Sequence, residues 1–446
     1  MARAKKEAAL TPEERLQAAL VPDWEWPHKL PENWCWTYLT KAAECLDNFR
    51  KPINATERAG RNGNVPYYGA TGQVGWIDDF LTDEDLVLLG EDGAPFLDLI
   101  KDKAYLITGK AWVNNHAHIL RSLFGDTGNR YLLHYLNSFN YAGYVNGTTR
   151  LKLTRASMDT IPIPLPPLAE QQRIVDRIES LFAKLDEAKE KAQAVVDSFE
   201  TRKAAILHKA FTGELTAKWR KEHDVGMESW KKKSVGELCI SLKYGTAKKS
   251  DASGNVVVLR MGNLQQGEID WSDLAYSNDP DDIEKYKLFP GDVLFNRTNS
   301  AALVGKTAIY RGEHPAIYAG YLIKLAYDHD KIIGDYLNYA LNTLDAKKYC
   351  NSVKTDGVNQ SNINAKKIGA YSFNVPSIPE QEKIVSVIQK LLSKEQQSKE
   401  AAEAVLDQID LMKKSILARA FRGELGTNDP SEESAVELLK EIIRRG

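Results

Sequence analysis

The sequence predicts an α+β protein: two mixed α/β domains alternate with two long helices, and the helices pair as an antiparallel coiled coil within a pseudo-two-fold internal repeat. Three observations predict it. Residues 170–215 and 380–425 match at a constant offset of 210 without a gap, and 21 of the 46 pairs are identical, far above chance, so the chain is internally duplicated. The duplicated segment carries apolar residues at alternating steps of four and three, the spacing of a coiled-coil seam. The stretches between the copies, 34–160 and 228–375, are rich in Tyr, Trp, Val, Gly and Asn and alternate over strand-sized lengths.

Taken in order, residues 1–33 form an N-terminal extension in which Thr11-Pro-Glu-Glu-Arg15 reads as a helix start, with Pro at the first position and acid in the first turn. The first mixed domain, 34–160, contains the alternating run Lys103-Ala-Tyr-Leu-Ile-Thr108 and a short helix around 130–138. Pro166-Pro167 bars helix upstream of the helical region 161–216. Its seam is Ile174, Ile178, Leu181, Leu185, Ala188, Ala192, Val195, Phe199 and Ile206, with Arg202 as a polar slot. Gly213 stands where a left-handed residue ends the helix.

The second domain, 217–375, offers Gly320-Tyr-Leu-Ile-Lys-Leu325 as a strand and a short helix around 334–343. The second helical region, 376–426, starts at Pro376 and Pro379, ends at Gly423, and has a seam weakened in its middle by Glu395 and Ser398. Ser431 to Arg445, within 427–446, reads as a terminal amphipathic helix. Because the two long helices share a sequence end to end, they are expected to pair antiparallel, each about 60 Å long at 1.5 Å per residue. Outside the repeat the two domains have diverged, so they present two different surfaces on one duplicated frame.

Composition narrows the function. With 59 basic and 61 acidic residues the net charge is −2, which excludes a polybasic tail protein and leaves local charge to decide nucleic-acid binding. The stretch 34–160 has 13 basic and 14 acidic residues and the stretch 228–375 has 19 and 17, so neither is basic as a whole. Four scattered cysteines, no apolar leader and no apolar run of membrane length point to a reduced, cytoplasmic protein with no membrane partner.

Catalytic look-alikes are weak. Ser300-Ala-Ala-Leu-Val-Gly305-Lys306-Thr307 resembles a phosphate-binding loop but has Ser where the first Gly must be, and it is followed by a strand-like run. His116 and His118 would share one face of a strand as a metal pair does, but no third ligand stands at useful spacing, so no metal site is assigned. The one Pro-Pro lies in Leu-Pro-Pro-Leu, not in an adenine methyltransferase loop, and Asp281, Asp282 and Glu284 are too compressed for a nuclease. A stand-alone P-loop ATPase, a DNA-modifying enzyme and a coiled-coil scaffold without DNA remain the alternatives at this point.

The loops carry the side chains that read base edges and hold phosphates. In the first domain these are Arg50, Lys51, Arg58, Arg61, Tyr67, Tyr68, Thr71, Lys110, Asn114, Asn115, His116, Thr149 and Arg150. In the second they are Lys243, Lys248, Lys249, Arg260, Asn263, Arg297, Asn299, Lys306, Asn359 and Gln360.

Pro-Leu-Pro-Pro-Leu-Ala-Glu-Gln-Gln-Arg-Ile-Val at 164–175, the helix after it and Ala-Phe-Thr-Gly-Glu-Leu-Thr at 210–216 resemble the central conserved region of type I restriction–modification specificity subunits. Pro379-Glu-Gln-Glu-Lys-Ile-Val385 through Phe421-Arg-Gly-Glu-Leu425 resembles their C-terminal conserved region. Tyr67-Tyr68-Gly-Ala-Thr-Gly72 and Val258-Leu-Arg-Met-Gly-Asn263 are similar to segments of their target recognition domains. The N-terminal extension departs from the pattern.

The resemblance implies a non-catalytic DNA-reading subunit whose two domains each read half of a split asymmetric target. The coil would space the halves and dock two methyltransferase subunits. Pro167, Glu170, Gln171, Phe211, Glu214, Leu215, Glu380, Gln381, Phe421, Glu424 and Leu425, which make up the repeated motif, are the docking candidates. The chain itself would hold no cofactor. S-adenosylmethionine would belong to the methyltransferase subunits, and ATP with Mg to restriction subunits.

Overall fold

A computed structural model describes residues 11–358 and 360–445, with only the backbone of Arg445. The chain divides into two compact units, one comprising the chain up to Gln193 together with the chain from Glu403, the other Ala194–Ala402. Each unit therefore holds one mixed domain, the start of the long helix that follows it and the end of the other long helix. The domains read from sequence as consecutive segments are thus completed by helix ends that lie far away in the chain.

The first long helix is Leu168–Asp197, continued after Ser198 by Phe199–Phe211. The interruption was not expected, and its cause is local. Ser198 keeps its amide on the Ala194 carbonyl at 3.1 Å and also turns its hydroxyl back onto the Ala194 and Val195 carbonyls, the back-bonding that often bends a helix. The second long helix, Ile378–Ala420, runs unbroken for 43 residues. The left-handed stops are where sequence placed them, Gly213 at φ +82° and Gly423 at φ +72°.

Antiparallel pairing is visible inside each unit. In the first, Asp186 meets Lys413 at 2.5 Å and Lys189 meets Asp410 at 3.5 Å. In the second, Arg202 Nε donates to Glu395 at 2.5 Å, and Lys399 lies 5.2 Å over the Phe199 ring. Of the three polar seam slots seen in sequence, Arg202 and Glu395 are therefore one another's partner, while Ser398 turns its hydroxyl onto the Lys394 carbonyl of its own helix. A polar pair inside an apolar seam fixes register, because sliding the helices would bury each charge against carbon.

The two domains share a topology although their sequences diverged. Antiparallel pairs Cys35–Tyr38 with Pro162–Leu165, and Lys231–Ser234 with Ser372–Val375, close each domain at its base. In the first, a four-stranded antiparallel sheet runs in spatial order Ala43–Cys45, Ala117–Ser122, Leu86–Gly90, Ala104–Ile107. In the second the same order is Cys239–Tyr244, Leu322–Tyr327, Val293–Asn296, Thr307–Ile309. A second sheet in each contains one parallel pair, Val65–Gly69 beside Lys110–Val113 and Val256–Leu259 beside Ala316–Tyr318. Backbone pairing, set by alternation and turn positions, persisted while exposed side chains changed. Leu86 to Leu89 are fully buried, as are Val293 to Phe295, so both central strands are apolar on both faces.

Helix and domain share a core in each unit. Ile174, Val175 and Ile178 pack with Leu417, Ala420 and Phe421 against Tyr131, Leu132 and Tyr135 of the short helix Gly125–Ser138. Leu207 and Ala210 pack with Ile384, Val385 and Ile388 against Tyr336, Leu337 and Ala340 of Gly334–Leu341.

The extension and the chain end, which sequence left unconnected, pack on each other. Thr11 and Glu14 form a capping box on the helix Pro12–Ala19. Ala19 is buried with Cys35, Leu165, Ala435 and Leu439 of the terminal helix Ala435–Arg445. Asn33 and Trp34 donate to the Asp429 carbonyl and the Asn428 side chain at 2.9 and 3.1 Å. No helix among the described residues is long and apolar enough to cross a membrane.

Candidate DNA interface and helix-end locks

In the second unit a cleft of about 800 Å³ brings together Lys248, Lys249, Arg260 and Arg297, residues far apart in sequence. The Arg297 guanidinium lies 4.8 Å over the Tyr244 ring and donates to the Gly320 carbonyl at 3.2 Å. Arg260 reaches Asp273 at 3.0 Å, an exposed carboxylate. Both arginines keep a buried Nε without a hydrogen-bond partner. Lys248 is held by Asp279 at 2.6 Å, which raises its pKa, while Lys249 is exposed. Tyr321, 48% exposed, stands on the same wall. The cleft thus offers planar guanidinium forks beside exposed aromatic surface, the chemistry that recognises base edges and stacks on them.

The remaining candidates of this unit lie elsewhere. Lys243 is exposed on the edge strand Cys239–Tyr244, and Asn299 and Gln360 belong to a small flap next to Arg297. Asn263 is buried, accepting from the Arg260 N–H at 2.8 Å and donating to the Asp270 and Asp273 carbonyls, so it shapes the loop instead of facing solvent. Lys306 points into a different cavity, onto Gln265 at 2.7 Å. Asn359 falls outside the described residues.

The phosphate-loop reading fails on geometry. The Leu303 and Val304 amides both donate to the Ser300 carbonyl at 3.0 Å, the Gly305 amide donates to Asn296 at 2.8 Å, and Thr307–Ile309 is a strand. No backbone cradle is left for a phosphate.

In the first unit Arg61 lies 4.7 Å over Trp112 and bridges Asp78 at 2.6 Å, and Lys110 lies 4.6 Å over Phe80. Thr71, Asn115 and Thr149 are exposed, and Tyr68 is half-buried against Tyr105. His116 and Arg150 both hold Asp92 at 2.7 Å. Three of the candidates, Tyr67, Asn114 and Arg50, are internal and do not face a ligand. Tyr67 is 1% exposed beneath the Arg58 guanidinium. Asn114 is buried, accepting from the His116 N–H. Arg50 is held by Asp47 at 3.0 Å and by Glu91. Trp76, 56% exposed, lines a cleft of about 430 Å³ with Arg58, Arg61 and Asn62 and was missed. The strand run Gln73-Val-Gly-Trp76 was its only signal.

The two histidines do not converge. His118 is buried with its ring nitrogens on Asp47 Oδ2 at 2.7 Å and the Leu153 carbonyl at 3.0 Å. Cys45, Asp47 and His118 bring ligand-type atoms within 4.8 Å of one another, but burial pushes the Cys45 thiol up to about 12 and His118 has both nitrogens engaged, a poor donor set for a metal. Burial alone would raise Asp47, yet its hydrogen bonds to His118 and the Ile119 N–H and the charge of Arg50 hold it below the usual carboxylate range. A depressed folded pKa adds stability that is present above the unfolded value and is lost as pH falls through the folded one. Asp47→Asn should therefore lower the melting temperature at neutral pH and flatten its fall below about pH 4. Parallel Tm–pH curves for the two proteins would contradict this.

The repeated motif has a visible geometry. Glu380, fully buried at the start of the second long helix, accepts from Thr216 and Arg220 at 2.7 Å and from Trp230 at 3.1 Å, all just beyond the end of the first. Glu170, fully buried at the start of the first, accepts from Thr427 at 2.7 Å, just beyond the end of the second. Its arginine is Arg173 of its own helix, at 2.8 Å, which also holds Glu432. Gln171 and Gln381 donate to the Pro166 and Pro376 carbonyls, closing the turn into each helix. Phe421 lies 5.3 and 5.1 Å from Tyr131 and Tyr135, and Phe211 lies 4.9 Å from Tyr336. Tyr131 and Tyr336 donate to the carbonyls of Pro164 and Asn374, which are 210 residues apart.

A sequence profile described as the type I restriction modification DNA specificity domain matches residues 45–196 and 227–405. The chain belongs to that family. It is 28% identical over 328 residues to the StySPI specificity subunit of Salmonella potsdam and 28% over 333 to the EcoKI specificity subunit of Escherichia coli K12, each match covering 70% of both chains. A putative specificity subunit of Haemophilus influenzae is 26% identical over 80% of this chain and 86% of its own. Among solved structures, the HsdS subunit from Thermoanaerobacter tengcongensis superposes with a TM-score of 0.58 at 19% identity, over 90% of this chain and all of its own. A chain from a study of complex assembly and conformational transition of the type I R-M system gives 0.65 at 18%, with the same coverage.

For this specificity chain the doubled motif takes a corrected reading. Pro167, Glu170, Gln171, Glu380, Gln381 and Phe421 are buried in their own unit, and Phe211, Leu215 and Leu425 are half-buried against the same cores. Glu214 and Glu424 alone among the motif candidates are exposed. Within each unit the repeated motif joins the end of one helix to the start of the other.

Proposed function

We propose that this specificity chain reads a split, asymmetric duplex target, one half with each unit, and performs no chemistry itself. The observation that carries this reading is the shared topology of two domains whose exposed side chains differ, an arrangement suited to two unlike half-sites. In this reading the second unit reads bases with Arg260 and Arg297 from its cleft, and Arg58, Arg61 and Trp76 serve the first. Two methyltransferase subunits bring S-adenosylmethionine and modify adenine N6, and restriction subunits bring ATP and Mg. Exposed Glu214 and Glu424, at equivalent positions of the repeat, are the docking contacts the motif leaves available.

The test is equilibrium binding of the assembled complex to target DNA. Arg260→Ala and Arg297→Ala should each weaken binding by about 1–3 kcal/mol, the usual worth of a bidentate guanine contact, and relax one base position. Unchanged affinity with both bases still required would refute the assignment. Tight binding of labelled ATP or S-adenosylmethionine by the isolated chain would favour an enzyme instead.

A further inference from the structure

Phosphate-loop geometry fails around Ser300–Thr307, yet the Lys306 side chain enters a cavity of about 480 Å³ separate from the Arg260–Arg297 cleft. Lys203 from the end of the first long helix and Lys347 from the helix Leu344–Val353 line the same cavity. Lys306 Nζ donates to Gln265 Oε1 at 2.7 Å, and Lys203 Nζ donates to Gln266 Oε1 at 3.3 Å and to its carbonyl at 3.4 Å. Both amines thus rest on one hairpin tip. That tip is fixed, because Asn338 and the Ile309 amide both donate to the Gly267 carbonyl.

Against three ammonium groups, Glu200 is the one carboxylate among the described residues lining the cavity. No ion pair holds any of the three lysines among the described residues, whereas Lys248 and Lys324 of the same unit each have a carboxylate within 3.2 Å. Glu268, on the same hairpin, is taken by Arg311 at 2.9 Å. Burial, with Lys347 nearby, lowers the pKa of both Lys203 and Lys306, so the three charges repel in a half-closed space that an anion would relieve.

We propose that this cleft is a phosphate-binding site, built by Lys203, Lys306 and Lys347 on the Gln265–Gln266 tip. Converging lysines are point charges that suit the several oxygens of a phosphate better than one planar carboxylate. The volume lies within the range of about 300–1,000 Å³ typical of small-ligand pockets and is too small for a duplex. The phosphate is either that of a free molecule or one backbone phosphate reaching in from bound DNA. The second source rests on the DNA reading above, and the first does not.

Two measurements on the full chain separate the sources. Sodium pyrophosphate is titrated calorimetrically into the wild type and into a variant carrying Lys203→Gln, Lys306→Gln and Lys347→Gln. Target-DNA affinity of both is then followed against salt. Saturable pyrophosphate binding that weakens about tenfold or more in the variant, as loss of a hydrogen bond to a charged group requires, with an unchanged salt slope, identifies a free phosphate ligand. No pyrophosphate binding, but a log–log salt slope shallower by about 0.9 per lost lysine contact, identifies the DNA backbone. Pyrophosphate binding by a chain that fails to bind DNA keeps the site and removes the DNA reading. Should the triple variant not fold, Lys347→Gln alone decides, since its side chain is exposed on a helix. No saturable binding together with an unaltered salt slope overturns the proposal.

Discussion

Phe421→Ala should destabilise the first unit by about 3–5 kcal/mol, the usual cost of removing a fully packed aromatic ring. The ring is 3% exposed and stands edge-on to Tyr131 and Tyr135, whose hydroxyls tie the short helix to the Pro164 and Pro162 carbonyls. Its loss opens a void where helix end, short helix and base strand pair meet, and neither tyrosine can move in without breaking its hydrogen bond. Phe211→Ala, at a half-buried ring, should cost less. Urea denaturation of both variants measures the difference. If Phe421→Ala keeps wild-type stability and loses methyltransferase subunits instead, the motif is a docking surface after all.

Glu380→Ala should cost a similar amount, about 3–5 kcal/mol, because it strands a buried cation. Arg220 is 10% exposed at its side chain, and without Glu380 it keeps the Thr216 hydroxyl, the Gly213 carbonyl and the Trp230 ring at 5.8 Å but loses its carboxylate. Trp230 loses its acceptor as well. Glu170→Ala should be milder, since Arg173 is 37% exposed and keeps Glu432. Replacing Glu380 by Leu and Arg220 by Met together should recover much of the loss, as paired removal of a buried ion pair often does. Equal losses at Glu170 and Glu380 would show that the arginine's placement does not matter.

How much of this was legible follows from what each residue reveals on its own. The seam spacing, the prolines before each helix and the glycines after it act locally, so helix extents were read to within a few residues. Ser198 was not, because a serine in a helix signals nothing until its hydroxyl turns back. Arg202 and Glu395 were visible as two weak slots, but only the antiparallel register makes them one bond. Glu170, Gln171, Glu380 and Gln381 were read as docking residues. Their burial depends on partners contributed by the far end of the other helix, which no local pattern shows.

The common sheet order of the two domains was hidden for a related reason: strand pairing is a backbone property, and their side chains had diverged. At the candidate interface, residue type identified Arg260, Arg297, Lys248 and Lys249 but not their convergence, since five separate segments form that cleft. Tyr67, Asn114 and Asn263 have the chemistry of base readers and lie where no base reaches.

The most direct test of the central claim, that each unit reads its own half of a split target, is single-molecule sequencing of methylated adenines in DNA modified by the complex. The wild type should give two short fixed sequences separated by unspecified bases. The chain with Arg260→Ala and Arg297→Ala should keep one of them intact and relax only the other. A single uninterrupted target, or relaxation of both halves by these two changes in one unit, would contradict the account.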